Sequence, residues 1–361
     1  MIKVAKFGGS SCASAEQFRK VKDIVLSDKS RHYIVVSAPG KRASGDTKVT
    51  DLLYRLQDAV QDEKKFQETL QTIKDRYQEI IDGLGLQFSL AADFDRIEQD
   101  LKAGADRDYA ASRGEFLNAK LMAAYLGFSF IDSASCFVFK EDRSCDYQKT
   151  EEGIRAALKD IDYAVFPGFY GANEKGEVVT FSRGGSDVTG SLIAAAEHVD
   201  LYENWTDVSG FLVADPRIVP NPEVIDYITY RELRELSYMG AGVLHEDAIF
   251  PVRREGIPIQ IKNTNRPEDH GTLIVQNTLK KPRFIITGVS GKKDFCAINI
   301  EKAMMNSEIG FARKLLSVLE DNNISFEHIP SGIDTMTLVI HQEELEHCEQ
   351  KILNGIQRAV N

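Results

Sequence analysis

Cysteine is sparse in these 361 residues: Cys12, Cys136, Cys145, Cys296 and Cys348 are scattered, odd in number and form no Cys-x-x-Cys pair. That excludes a disulfide framework or a clustered zinc site and predicts the reduced thiols of a cytoplasmic protein. No apolar run is long enough to cross a bilayer, so no membrane partner is expected. The opening Met1-Ile2-Lys3-Val4-Ala5-Lys6-Phe7 runs straight into Gly8-Gly9, with neither the apolar core nor the cleavage site of a signal peptide. Basic charge is in deficit, 44 Lys+Arg against 55 Asp+Glu for a formal net charge of -11. Such a balance disfavours nucleic acid as a partner but leaves open a small anionic substrate, which local basic groups would hold.

What is present suits a soluble globular protein, with 43% hydrophobic and 27% charged residues. At roughly 100–200 residues per domain, the length predicts two or three domains. Strands and helices alternate over the first three quarters. Strands are predicted at 2–7, 33–37, 128–132, 163–167, 178–181 and 201–205. Helices are predicted from Ser14 (with Gln17 as capping-box partner), from near Thr50, over 109–126, 147–158 and 186–195, and as solvated helices between about Asp62 and Lys102. This order implies βαβ units: an α/β fold with a mostly parallel sheet sandwiched by helices. The pattern changes at Lys280-Lys281-Pro282, which divides the chain into domains 1–280 and 281–361. The second reads as strands at 284–289, 295–300, 325–329 and 335–340 with helices at 309–319 and 345–359, a small α+β domain.

Three segments could do chemistry. Lys6-Phe7-Gly8-Gly9-Ser10-Ser11 ends a strand in a lysine, and its glycines let backbone N–H groups approach a phosphate at the next helix start. It is neither a Walker A loop nor GxGxxG, and taken alone it also reads as a tight turn with a surface lysine. Ser182-Arg183-Gly184-Gly185-Ser186-Asp187 repeats the device, with a guanidinium suited to a carboxylate and an aspartate in the first helical turn. Trp205-Thr206-Asp207-Val208-Ser209-Gly210, with Asp215-Pro216-Arg217 beyond it, ends another strand in polar groups. Each has a plain reading as a turn or cap. Two glycine turns that each carry a cation fit phosphoryl transfer, which needs positioning and positive charge.

These segments, with Val35-Val36-Ser37-Ala38-Pro39-Gly40, Arg113-Gly114-Glu115, Ala214 to Arg217 and Gly271 to Ile274, follow one another as in the aspartate kinases of the amino-acid kinase family, which the chain resembles from Met1 to about Val275. The resemblance implies that the γ-phosphoryl group of ATP is transferred, with Mg2+ held mainly by phosphates and water, to the side-chain carboxylate of L-aspartate, the first step towards lysine, threonine and methionine. It implies Lys6 and Asp187 as catalytic residues. Ser37, Thr50, Glu115, Arg183 and Ser186 would bind aspartate, Arg183 at the α-carboxylate and Glu115 at the α-ammonium. Gly8, Gly9, Ser10, Thr206, Asp207, Leu212 and Arg217 would meet the nucleotide.

The sequence departs from the family pattern at two positions. Gly242 stands where many members have a lysine, for which Lys262 could substitute, and Leu212 stands where a tyrosine is common. The C-terminal domain resembles an ACT-like module, an amino-acid sensor. Met305, Asn306, Ser307, Ile309 and Gly310 fall where such modules hold an effector, here lysine or threonine by resemblance; Asn306 and Ser307 read equally well as plain helix caps. A second ACT module is not found, so either the chain belongs to a longer one or its feedback control differs. An incomplete sheet would leave an edge open to a partner chain, and a homodimer or larger homo-oligomer is expected. Two other functions stay open on the residues: a kinase for another carboxylate or carbamate, and an amino-acid-binding regulator with an inactive kinase domain.

Overall fold

The computed structural model describes residues 1–360 apart from 183, 239–243, 245 and 278–284. The chain forms two compact units, Met1–Ser290 and Gly291–Asn361. The expected boundary at Lys280-Lys281-Pro282 lies outside the described residues.

The strands of the first unit are β1 (Lys3–Phe7), β2 (Arg31–Val36), β3 (Ser129–Phe130), β4 (Val138–Phe139), β5 (Ala164–Pro167), β6 (Tyr170–Asn173), β7 (Val178–Thr180), β8 (Leu201–Thr206), β9 (Tyr227–Thr229), β10 (Ile259–Asn263) and β11 (Thr272–Val275). Its helices are α1 (Ala15–Ser27), α2 (Val49–Asp58), α3 (Glu63–Leu84), α4 (Ala91–Lys102), α5 (Arg107–Leu126), α6 (Tyr147–Leu158), α7 (Gly185–Ala196), α8 (Tyr230–Tyr238) and α9 (Glu246–Arg254). Eight strands form one sheet in the order β3-β5-β2-β1-β8-β10-β11-β9, parallel except where β11 meets β10. From β1 the chain winds through β2 to β5 on one side and later through β8 to β10 on the other. The winding therefore reverses between β1 and β8, the place where open parallel sheets leave a crevice beyond their strand ends.

Side chains alternate across a strand, and β1 uses both faces. Ala5 and Phe7 enter a core with α1, α3, α4 and α5, while Val4 enters a second core with α6, α7 and α9. Lys6 shares the face of Val4 and so is aimed towards α7. That helix lies unusually close to the sheet because it presents glycine there: a Cβ on Gly190 would fall 2.7 Å from the Tyr202 ring. A sheet with helices on both faces is the architecture expected from the sequence.

The second unit pairs β12 (Phe295–Glu301) antiparallel with β13 (Thr335–His341) under α10 (Phe311–Glu320), α11 (Gln342–Leu345) and α12 (Glu349–Val360). It has its own core around Leu315, Leu338, Ile340 and Ile352.

Several sequence expectations need correction. No ladder forms over 285–289, where one backbone bond joins Val289 to Val213 O at 2.8 Å. Residues 325–329 make only a bridge, His328 to Val339, before Pro330, which has no N–H to extend it. The helix expected over 345–359 is interrupted between α11 and α12. The short strands β4 and β6 were not anticipated. At α1 half of the capping box forms: Ser14 accepts the Gln17 N–H at 3.4 Å, while the Gln17 amide turns away to Asn265 at 2.9 Å.

Candidate active site

Four adjacent parallel strands, β2, β1, β8 and β10, end side by side, and the predicted polar groups leave from those ends. In register, Lys6 on β1 lies opposite Asn204 on β8, and Phe7 opposite Trp205. Lys6 Nζ sits 2.6 Å from Asp187 Oδ1 in the first turn of α7, both side chains largely buried. Asn204 Nδ2 donates to the same Oδ1 at 2.8 Å, and the Tyr202 hydroxyl donates to the Asp187 carbonyl at 3.0 Å. Asp187 is thus held from two strands and its own helix, which aims the Lys6 ammonium at the crevice. In a setting so poor in water a fixed cation acts on nearby charge far more strongly than at the surface.

The glycine turn follows at once. Gly8 N–H donates to Trp205 O at 3.0 Å, and a 3-10 turn runs over Gly9–Cys12 with Ser10 exposed. Ser11 is tied to Thr264 by a 2.7 Å hydroxyl contact, which fixes the turn to the end of β10. A second turn stacks on the first: Gly40 N–H donates to Gly9 O at 2.8 Å, and a Cβ on Gly40 would fall 2.6 Å from Gly9 C. Only glycine permits that approach.

The predicted substrate residues frame the other side. Ser37 N–H is bound to Phe7 O at 3.1 Å, and its carbonyl accepts from Asn118 on α5 at 2.6 Å. Glu115, one turn earlier on α5, is buried; it accepts a hydrogen bond from the Ala38 backbone, yet its Oε2 has no partner among the described residues. Burial pushes the Glu115 carboxyl up to about 7, against the pull of the Ala38 bond and the nearby Arg113 charge. A buried carboxylate oxygen in want of a donor fits a ligand ammonium. Thr50 stands in the first turn of α2. Ser186 is buried so close to Gly168, just past β5, that a Cβ there would meet its Oγ at 2.4 Å. Arg183 lies outside the described residues, as does Gly242.

The predicted nucleotide residues are less drawn together. Thr206 donates to the Asp207 carboxylate at 3.2 Å at the end of β8. Lys262 lies 5.5 Å from the Trp205 ring and gives its ammonium to the carbonyls of Pro267, at 3.0 Å, and Asp269, with burial lowering its pKa. Arg217 is exposed and forked onto Asp215 at 2.6 Å, and Leu212 bridges to Val224. Among the described residues no three His, Cys, Asp or Glu side chains converge on a metal position, and no helix is long and apolar enough to cross a membrane.

In the second unit Met305 is buried, Asn306 and Ser307 are exposed, and Ile309 is fully exposed. Neither Asn306 nor Ser307 caps α10, because a 3-10 turn over Met305–Ser307 delays the helix and makes Gly310 its N-cap. Sequence reasoning missed Asn204, Tyr202 and Asn118. The available signal was a polar residue in an otherwise apolar strand or helix face, which in a core must find a partner.

The sequence profile described as the amino acid kinase family matches residues 1–263. The chain belongs to that family. It is 40% identical over 376 residues to Aspartokinase 3 of Bacillus subtilis, an alignment that covers 99% of this chain and 82% of the relative. A crystal structure of Clostridium acetobutylicum aspartate kinase superposes with a TM-score of 0.91 at 51% identity, covering 100% of this chain and 82% of that one. The Escherichia coli aspartokinase III structure with lysine and aspartate gives a TM-score of 0.73 at 25% identity, covering 99% and 83%. All five cysteines are free.

Proposed function

We propose that the chain is an aspartate kinase, which converts L-aspartate and ATP to 4-phospho-L-aspartate and ADP at the crevice between β1 and β8. The observation that carries the reading is the largely buried Lys6–Asp187–Asn204 set beside a glycine turn, together with a buried Glu115 whose Oε2 has no partner among the described residues. MgATP supplies the transferable γ-phosphoryl group. Backbone amides of Gly9 and Ser10 would cradle the phosphates, with Gly8 lining the turn and its own N–H held by Trp205 O, and with Thr206, Asp207, Leu212, Lys262 and Arg217 towards the nucleoside. Mg2+ would be held by phosphates and water.

Lys6 offsets the negative charge that builds on the transferring oxygens. Asp187 keeps Lys6 aimed and needs no proton-transfer role, since a carboxylate acceptor is already ionised at neutral pH. Glu115 receives the α-ammonium of the substrate, Arg183 its α-carboxylate, and Ser37, Thr50 and Ser186 its remaining polar atoms. Selectivity for aspartate then rests on the ammonium contact, because an N-acylated acid would leave Glu115 buried and unpaired.

The C-terminal unit is read as an ACT-like sensor for lysine or threonine, with Met305, Asn306, Ser307, Ile309 and Gly310 at the effector. The family resemblance supports this, as it does a homodimer or larger homo-oligomer; the free cysteines accord with a cytoplasmic location. The test is acyl-phosphate formation trapped as the hydroxamate, with MgATP and aspartate, glutamate or acetylglutamate offered separately. Signal with aspartate alone is expected; signal with acetylglutamate but not aspartate would overturn the assignment.

A further inference from the structure

Arg76 sits mid-way along α3, a helix whose charge content suggested a solvated surface, yet it is 4% exposed. A guanidinium out of water is costly unless neutralised and hydrogen-bonded. Its partners are specific. One terminal nitrogen donates to Gly40 O at 2.6 Å and to Ala13 O at 3.4 Å. The other is paired with Asp46. Ala13 ends the glycine turn that follows β1, and Gly40 opens the loop that follows β2, so a single side chain grips the backbone of both turns that line the crevice.

Asp46 does not act alone. It accepts from the Arg42 backbone and Nε, each at 2.9 Å, and Arg42 reaches Glu79, one turn beyond Arg76 on α3, at 2.5 Å. Arg42 first, then Arg76, hold the Asp46 carboxyl well below the usual carboxylate range. The charges alternate from Glu79 through Arg42 and Asp46 to Arg76, and the chain they form spans loop 40–46. The close contact of Gly40 with Gly9 and Ser10 passes that restraint to the phosphate turn, and Ser37 lies three residues upstream.

We propose that Arg76 is a positioning residue for phosphoryl transfer, a clamp that sets the spacing between the phosphate turn after β1 and the substrate loop after β2, with Asp46 and Arg42 as its latch. This rests on the assignment of those two turns to ATP and aspartate. Misplacing reacting groups by about an ångström costs on the order of 100-fold in rate. A clamp therefore acts on turnover, whereas a purely structural arginine acts on stability.

The experiment uses the full chain with Asp46→Asn, Arg76→Lys and Arg76→Met. It combines hydroxamate kinetics, amide hydrogen exchange and thermal unfolding. Asp46→Asn keeps the buried arginine and its carbonyl contacts, so it tests the latch even if Arg76→Met fails to fold. The expected result is a fall in kcat of about tenfold for Asp46→Asn and more for Arg76→Met, with Arg76→Lys between wild type and Arg76→Met. Amides of residues 9–13 and 40–46 would exchange faster in concert. Reduced thermal stability with unchanged kcat and unchanged exchange in both turns would overturn the clamp. If the wild-type chain phosphorylates a different acid, the aspartate reading fails separately, and kcat on that acid together with the exchange pattern still decides the role of Arg76.

Discussion

Two helix starts in this chain use the same backbone device and make different things of it. Both α7 and α10 begin after a glycine in the left-handed region, Gly184 at φ 57 and Gly310 at φ 81, with no side chain capping the first turn. At α7 the free amides lie beside a half-buried aspartate, a buried lysine and a buried asparagine on the neighbouring strand. At α10 the preceding acid, Glu308, is already paired with Lys302 at 2.7 Å and Lys314 at 2.5 Å, and Ile309 stands 99% exposed. The dipole is similar; enclosure differs. Low dielectric makes the first a place where charge is stabilised strongly, and solvent screens the second.

The contrast can be broken most directly at Lys6. Lys6→Ala should lower turnover by about 1,000-fold while ATP binding changes far less, measured by hydroxamate kinetics and nucleotide titration. Full turnover would mean that the enclosed start is not the reacting one. Asp187→Asn keeps the shape and removes the charge that aims Lys6, so a smaller loss of about 100-fold is expected in the same assay.

Glu115 offers a finer probe. Its carboxyl titrates near 7 because it is buried, so it is neutral below that pH and a carboxylate above it. An ammonium needs the carboxylate, and KM for aspartate should fall about tenfold from pH 6 to pH 8. Glu115→Gln should raise KM and flatten the profile; an unchanged slope would remove Glu115 from the substrate site. Stability runs the other way. The folded chain keeps this proton up to about 7, the unfolded chain loses it near 4.5, and the contribution of this group to stability declines across that window.

The smallest effect belongs to the open helix start. Asn306→Leu should shift the half-inhibitory concentration of lysine or threonine about threefold, the scale of 1 kcal/mol or less expected for a screened contact. An unchanged inhibition curve would leave that turn without a sensing role.

The layered α/β fold was readable because long periodic segments dominate it: 147–158 was located to the residue, and β1, β2, β8 and α5 to within two. Short strands such as Val138–Phe139 carry too few residues to show a period, and they form only because Thr150 and a neighbouring strand satisfy their backbone. Lys6 and Asp187 were legible as types, through glycine turns at strand ends. Asn204, Asn118 and Arg76 were not, since their meaning lies in what they touch 17 to 81 positions away, as Asn204 to Asp187, Arg76 to Gly40 and Asn118 to Ser37 show. In a helix as charged as α3, nothing local separates a buried arginine from its solvated neighbours.

Trp205 is the only tryptophan among the 361 residues. Its backbone carbonyl holds Gly8, its ring stacks on Phe7 at 5.9 Å, its indole N–H donates to Glu203 at 2.9 Å, and the Lys262 ammonium stands 5.5 Å from the ring. All of its tryptophan emission therefore comes from one indole fastened to the glycine turn, with the Arg31 and Lys262 cations close to the ring. The protein carries its own optical probe at the crevice: emission intensity and wavelength should track nucleotide arrival in real time, without a label and without background from any other tryptophan.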